Sequence, residues 1–288
     1  MTVTNRLKII MQIIVKLLFK FLPNSTIRFI ILSFPKLAVC APPNLKFIIN
    51  NYLDRYTVNI NTASCVERYM LRGTYEPSNL KIIELNVKEG NCCLDIGANV
   101  GAITLALAKA VGKSGLIYSF EPHPSFYNKL SDHIKINNLE NNVFAINKGI
   151  SSSNKNIFLE EDSRIEGKGN AGIVDFETIN SYKIEAITLD QFVISYNLKS
   201  VNFIKIDVEG HEMEVINGCV ETIKKFRPKI LFESLSIFAK KGNKNNFSEL
   251  ENQFISLNYD FFGVDYYGNL IKISTIGEYP MTYAIPIN

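Results

Sequence analysis

Apolar residues recur at helical spacing from Leu7 to Phe21 (Leu7, Ile10, Met11, Ile14, Leu17, Leu18, Phe21), while Lys8, Gln12, Lys16 and Lys20 form a polar stripe at every fourth position. The pattern predicts a basic amphipathic helix, and Pro23 stops it. Gln12, Lys16 and Lys20 interrupt the segment before it reaches the roughly 18 apolar residues of a bilayer span, so the helix is expected to lie on a surface rather than cross it. Two readings of its apolar face stand open: it meets an anionic membrane, or it packs on the protein's own core. The lysines and the missing small-residue cleavage site argue against a secretory signal.

Pro35, Pro42 and Pro43 mark a loop-rich linker, and from about Phe47 to Leu85 short apolar stretches mix with Arg68, Arg72 and Glu76. We read 1–35 as the basic helical region, 36–85 as a cap and 86–288 as the main domain. In that domain short apolar runs alternate with helical patterns. Strands are expected at Cys92–Ile96, Leu116–Phe120, Val143–Asn147, Phe203–Ile206 and Ile230–Glu233, and helices near Val100–Ala110, Pro124–Asn138 and Gly210–Phe226. That is the form of an α/β fold, a mostly parallel sheet with helices on both faces, here with an N-terminal helical extension. The Ser, Asn and Gly clusters of Ser151–Lys183 predict an inserted hairpin and mobile loop, Lys240 to Asn246 a polar loop, and Tyr259–Ile273 closing β-structure.

Charge changes the picture at one end only. Residues 1–53 carry seven Lys or Arg and no acid, which leaves the remainder with 24 basic against 28 acidic residues. The main domain therefore has no basic footprint for nucleic acid, and the basic excess suits an anionic surface. Five cysteines, odd in number and without metal-ligand spacing, fit reduced thiols in a cytoplasmic protein, with the inner face of a membrane as the second placement.

Three strand ends carry candidate chemistry. Cys92-Cys93-Leu94-Asp95-Ile96-Gly97-Ala98-Asn99-Val100-Gly101 runs from an apolar strand into a Gly-rich turn and a helix, a form whose backbone amides and missing side chains suit a close ligand. Asn99 stands where a nicotinamide-binding turn wants its second glycine, and Asp95 precedes the first. A carboxylate there disfavours pyrophosphate and favours a ligand with an amino group and a sulfonium cation. Tyr118-Ser119-Phe120-Glu121-Pro122 ends a strand in an acid able to accept from a ribose diol, or to cap the helix that begins near Pro124. Phe203-Ile204-Lys205-Ile206-Asp207-Val208-Glu209-Gly210-His211-Glu212 puts ionisable groups where a strand gives way to a helix.

Taken together these residues resemble the FkbM-type methyltransferase family. The resemblance runs in order through Tyr75-Glu76, the Asp95–Gly101 turn, Phe120-Glu121-Pro122, Asn147 with Gly149-Ile150-Ser151, Thr188-Leu189-Asp190, Lys205–Glu212, and Arg227-Pro228 before a strand ending at Glu233. Ser152 departs from it, since the family often has an acid near the adenine. The resemblance implies a Rossmann-like class I methyltransferase fold and S-adenosylmethionine as methyl donor. It implies that Asp95, Gly97, Asn99 and Gly101 line the methionine and ribose part, that Glu121 holds the ribose hydroxyls, and that Tyr75 and Glu76 close over the donor. It also implies O-methylation of a hydroxyl on a sugar, glycan or secondary metabolite, the last step by fold analogy.

On the acceptor side we expect Asp207, Glu209 and His211 to act together, His211 having the reference pKa of about 6.5 that suits a general base. A competing arrangement has Glu209 and His211 capping the helix while Lys205 pairs with an acid; a metal held by Asp207, Glu209 and Glu233 is the less favoured one. The rival functions are a nicotinamide-dependent oxidoreductase and a non-catalytic, membrane-bound glycan-binding module.

Overall fold

The computed structural model describes residues 3–73, 75–161, 171–174, 177–234 and 247–287. The chain forms two compact units that divide between Tyr75 and Glu76.

The first unit opens with α1 (Val3–Phe19) and α2 (Asn24–Ser33), then a 3-10 turn at Pro35–Cys40. A hairpin of β1 (Lys46–Tyr52) and β2 (Tyr56–Asn61) follows, with α3 (Cys65–Leu71) after it. We drew no hairpin there from sequence, yet Tyr56, Val58 and Ile60 alternate as buried positions along β2, the period-2 signal of a half-covered strand. Ser64 caps α3 by accepting from the Glu67 amide.

The second unit contains α4 (Pro77–Asn86), β3 (Cys92–Ile96), α5 (Ala102–Val111), β4 (Leu116–Phe120), α6 (Pro124–Ile136), β5 (Val143–Ile146), β6 (Gly149–Ile150), β7 (Lys155–Glu161), β8 (Ala171–Val174), β9 (Ser181–Ile187) and α7 (Leu189–Ser195). It continues with β10 (Phe203–Ile206), α8 (Glu212–Asn217), α9 (Val220–Phe226), β11 (Lys229–Glu233), α10 (Phe247–Ser256), β12 (Tyr259–Val264), β13 (Leu270–Lys272) and β14 (Met281–Pro286). Eight strands make one sheet in the order β13-β12-β14-β11-β10-β3-β4-β5. β3, β4, β5, β10 and β11 are parallel, whereas β14 runs antiparallel between β11 and β12. This is the Rossmann-like class I methyltransferase fold. The chain builds outward from β3 through β4 to β5, then returns to β10 and builds the other way, so the crevice between the carboxyl ends of β3 and β10 is the topological switch point, where ligands of such sheets bind.

Apolar runs make these strands because both sheet faces are covered: Leu94, Ile96, Ile204, Ile206 and Phe232 share one core with Phe192 of α7, Ile223 of α9 and Phe254 of α10. The segment expected as a hairpin and loop forms a second sheet in the order β6-β9-β7-β8, while residues 162–170 and 175–176 of it lie outside the described residues. The expected polar loop from Lys240 to Asn246 also lies outside them.

The helix expected over Gly210–Phe226 is two helices. A Cβ at Gly218 would lie 2.1 Å from the Ser151 carbonyl oxygen, so the chain passes that carbonyl only as glycine. Asp190 then starts α9 anew, its carboxylate accepting from the Glu221 and Thr222 amides at 3.1 and 2.7 Å. Closing β-structure is present at β12 and β13, and β14 beyond them was not drawn.

Candidate functional site

Gly97, Asn99 and Gly101 all adopt the left-handed conformation (φ 84°, 50° and 91°). Asparagine tolerates this better than most side chains, which accounts for Asn99 where a glycine was looked for. The backbone amides of this turn do not face outward as the sequence suggested. Gly97 and Ala98 both donate to the Phe120 carbonyl at 3.0 Å, Asn99 to Glu121 Oε2 at 2.7 Å, Val100 to the Asn99 side chain at 2.8 Å and Gly101 to the Ala98 carbonyl at 2.9 Å. With every amide from Gly97 to Gly101 spent internally, the turn offers an anion no ring of donors. The glycines are required by packing: a Cβ on Gly97 would lie 1.8 Å from the Asp207 carbonyl oxygen, and one on Gly101 2.8 Å from Leu130.

Asp95 sits inside the sheet, 1% exposed, its Oδ2 accepting from the Thr104 hydroxyl at 2.6 Å while Ser119 lies 3.0 Å from Thr104. Burial pushes its carboxyl up to about 6 against the Thr104 bond and the Lys205 charge. Glu121, also buried, accepts from the Asn99 and His123 amides at 2.7 and 2.8 Å, so it ties two strand ends together; burial pushes it up to about 7. His123 stands at the N-cap position of α6 without a side-chain cap. Each Glu121 oxygen still has a second lone pair, which a ribose diol could use. Asn147 donates to the Glu121 and Pro122 carbonyls at 2.9 Å each and fixes this bend.

The end of β10 is organised by charge. Lys205, 1% exposed, faces Asp95 in register across the sheet and donates to Asp207 Oδ2 at 3.1 Å. Burial acts to lower its pKa, but Asp207, Glu76 and Asp95 together hold it above the ordinary lysine value. Glu209 is in the left-handed region (φ 53°), and burial plus the Asp207 and Glu212 charges push it up to about 7. Glu233, at the end of the neighbouring β11, is raised further by burial and by Asp207, Glu209 and Glu212. Glu212 closes the turn by accepting from the Val208 and Gly210 amides at 3.2 Å.

The start of α8 has no side-chain cap, so the helix-start role weighed for Glu209 and His211 is filled by neither side chain. His211 occupies the N-cap position of α8 but caps nothing with its side chain; its Nε2 lies 3.0 Å from the buried Ser151 hydroxyl. Lys205 pairs with Asp207 itself, a pairing that the sequence left unassigned. Glu76, left-handed at φ 42°, accepts from Asn79 at 2.7 Å and belongs to this unit, whereas Tyr75 belongs to the other. Among the described residues no group of three His, Cys, Asp or Glu is arranged to hold a metal ion.

The sequence assigns no role to Ser151, named only within its motif, to Thr104, or to His133, whose Nδ1–H donates to the Val100 carbonyl at 2.8 Å behind the turn. None carries a local signal, because each works through a partner distant in sequence. Two motif residues turn out to be structural: Asp190 as described, and Arg227, whose guanidinium binds the Leu257, Asn258 and Ile287 carbonyls.

A donor pocket for S-adenosylmethionine should welcome positive charge, and the crevice does. Among the described residues Glu76, Asp95, Asp207, Glu209 and Glu233 interact there with Lys205, and Glu212 adds its charge through Asp207 and Glu209. The donor set fits a cation and, with its amides spent, fits a pyrophosphate poorly.

The chain is 26% identical over 177 residues to the hexuronic acid methyltransferase AglP of Haloferax volcanii, covering 61% of this chain and 68% of that one. It is 27% identical over 164 residues to the methyltransferase sdnD of Sordaria araneosa, covering 47% and 63%. The crystal structure of methyltransferase FkbM from Methylobacillus flagellatus superposes with a TM-score of 0.45 at 14% identity, over 77% of this chain and 53% of that one. The chain thus spans about two thirds of these curated relatives and about half of that solved structure. Residues 95–261, more than half of the chain and including both turns, match the methyltransferase FkbM domain. The chain belongs to this family of S-adenosylmethionine-dependent methyltransferases.

Proposed function

We propose that the protein is an O-methyltransferase acting on a hydroxyl of a sugar, glycan or secondary metabolite, with the donor at the β3 and β4 ends and the acceptor at the β10 end. The sugar reading draws on the relative named for hexuronic acid methylation. The observation that carries the donor site is the pairing of spent turn amides with an excess of carboxylates, which suits a sulfonium ligand and disfavours a nicotinamide dinucleotide. Gly97, Asn99 and Gly101 shape the wall of that site, Glu121 offers its second lone pairs to the ribose, and Asp95 acts through its charge. Glu76 is assigned to closing it.

Bound S-adenosylmethionine supplies an electrophilic methyl group. Asp207 orients the acceptor hydroxyl and His211 takes its proton as the new carbon–oxygen bond forms and the carbon–sulfur bond breaks. Ser151, 3.0 Å from His211 Nε2, orients the imidazole. Glu209 adjusts the local charge. Isothermal calorimetry tests the donor assignment: S-adenosylmethionine and its demethylated product should bind, and tight NADH binding without a response to either would falsify it.

The activity is placed, in the same reading, at a membrane face, with 1–35 serving attachment, 36–85 the cap and 86–288 the chemistry. In support, Phe21, Phe29 and Phe34 are 85%, 72% and 64% exposed, and Met11, Ile14, Leu17 and Leu18 are exposed too, beside Lys16, Lys20 and Arg28. Among the described residues no helix is long and apolar enough to cross a membrane. Co-sedimentation with phosphatidylglycerol vesicles should fall with salt and with Phe21→Ser/Phe29→Ser, each nearby Lys or Arg being worth about 1 kcal/mol. Unchanged partitioning would remove the membrane from the account.

A further inference from the structure

One cavity is left unused by this mechanism. It has a volume of about 460 Å³ and lies between the end of β5, the strands β7 and β9, and helix α7. It is separate from the donor turn. Asn147 turns its amide to the Glu121 and Pro122 carbonyls, while its neighbours Ile146 and Lys148 line the cavity.

The lining combines three kinds of surface. Phe192 and Tyr196 stack at 4.2 Å between centroids; Phe192 is buried and Tyr196 is 57% exposed, so Tyr196 presents the aromatic surface to a ligand. Asn154 is fixed by the Thr188 amide at 2.9 Å and by donating to the Gln191 carbonyl oxygen, which leaves the Gln191 NH₂ group to donate. Lys148 is neutralised by Glu185 at 2.6 Å, so the net positive charge of the lining comes from Lys155. A size within the range of small-ligand sites, one aromatic wall, several amide and hydroxyl partners and, among the described residues, one cation without an acidic partner describe the recognition of a polyol ring bearing a negative charge. An apolar cofactor would find too many polar groups there, and a bare inorganic anion would make no use of the aromatic wall.

We propose that this cavity binds an anionic saccharide, a sugar ring carrying a single carboxylate, at a site distinct from the methyl-transfer crevice. The proposal goes beyond the acceptor reading and does not depend on which hydroxyl is methylated. A glycan long enough to occupy both places would be held by one unit while another is modified.

Saturation-transfer NMR and calorimetry on the full chain, with D-glucuronate, D-glucose and acetate as probes, provide the test. Glucuronate should bind and saturate through its ring protons, glucose should bind more weakly, and acetate should not compete. Lys155→Glu should weaken glucuronate by about tenfold, the loss of one charge-assisted contact, and leave glucose unchanged. Gln191→Ala should weaken both sugars, and S-adenosylmethionine affinity should be the same in both variants, which reports that they are folded. Competition by acetate at equal strength would reduce the cavity to an adventitious anion site and overturn the proposal. Glucuronate binding that neither variant alters would overturn it as well.

Discussion

The turns after β3 and β10 leave neighbouring parallel strands at the same edge of one sheet, and they are tied down differently. The first is closed by neutral donors: the amides of Gly97 to Gly101 and the Thr104 hydroxyl meet carbonyls, the Asn99 side chain and two buried carboxyl groups. The second is closed around an ion pair, Lys205 with Asp207, and ringed by further acids. Removing one member of the ion pair leaves a buried charge uncompensated, whereas removing one member of the hydrogen-bond network leaves an unsatisfied polar group. In the proposed assignment the first turn is the donor wall and the second the acceptor end, a division of labour.

The largest effect expected to test this division is on turnover. Asp207→Asn and His211→Ala should each lower kcat by about 10²–10⁴-fold with donor affinity little changed, measured by steady-state kinetics with an identified acceptor. Full turnover in His211→Ala together with none in Asp207→Asn would move the base to Asp207. Full turnover in both, with donor binding intact, would put the acceptor at a different strand end.

Next comes stability. Lys205→Met strands buried carboxylates and should cost about 3–5 kcal/mol, against about 1–3 kcal/mol for Thr104→Val, which removes only a hydrogen bond from Asp95. Urea denaturation reads both, and equal losses would erase the contrast between the turns. Smaller again, Asp95→Ala and Glu121→Ala should each weaken S-adenosylmethionine by about 1–3 kcal/mol in calorimetry. An unchanged affinity in both would move the donor away from β3 and β4.

A last effect concerns pH. Glu121 and Glu209 rise from 4.5 to about 7 in the folded protein. Between those values the native state keeps protons that the unfolded chain has released. Their contribution to stability is therefore complete below 4.5 and is lost as pH climbs through about 7. The denaturation midpoint of the ligand-free protein should fall between about pH 5 and pH 8. A midpoint that rises over that range would show these groups ionised from the start.

Much of the sheet was legible because Cys92–Ile96, Leu116–Phe120 and Phe203–Ile206 are apolar runs bounded by turn residues, and a strand buried on both faces has to read that way. The order of motifs likewise pointed to the correct family. What the chain did not disclose depends on partners far away in it. The break at Gly218 answers to the Ser151 carbonyl, the start of α9 to Asp190, and the inward aim of the Gly97 and Ala98 amides to the Phe120 carbonyl. Lys205 looked like one charge in a motif until register set it opposite Asp95.

On the proposed assignment of donor and acceptor, Gly97 bears on the separation between them. Its missing side chain lets the backbone after β3 rest against the carbonyl of Asp207, closer than any other residue would permit. The gap between the two halves of the reaction is thus gauged by main chain against main chain, with no rotamer and no ionisable group in the measurement. Exchange of the side chains around it would leave that main-chain contact in place.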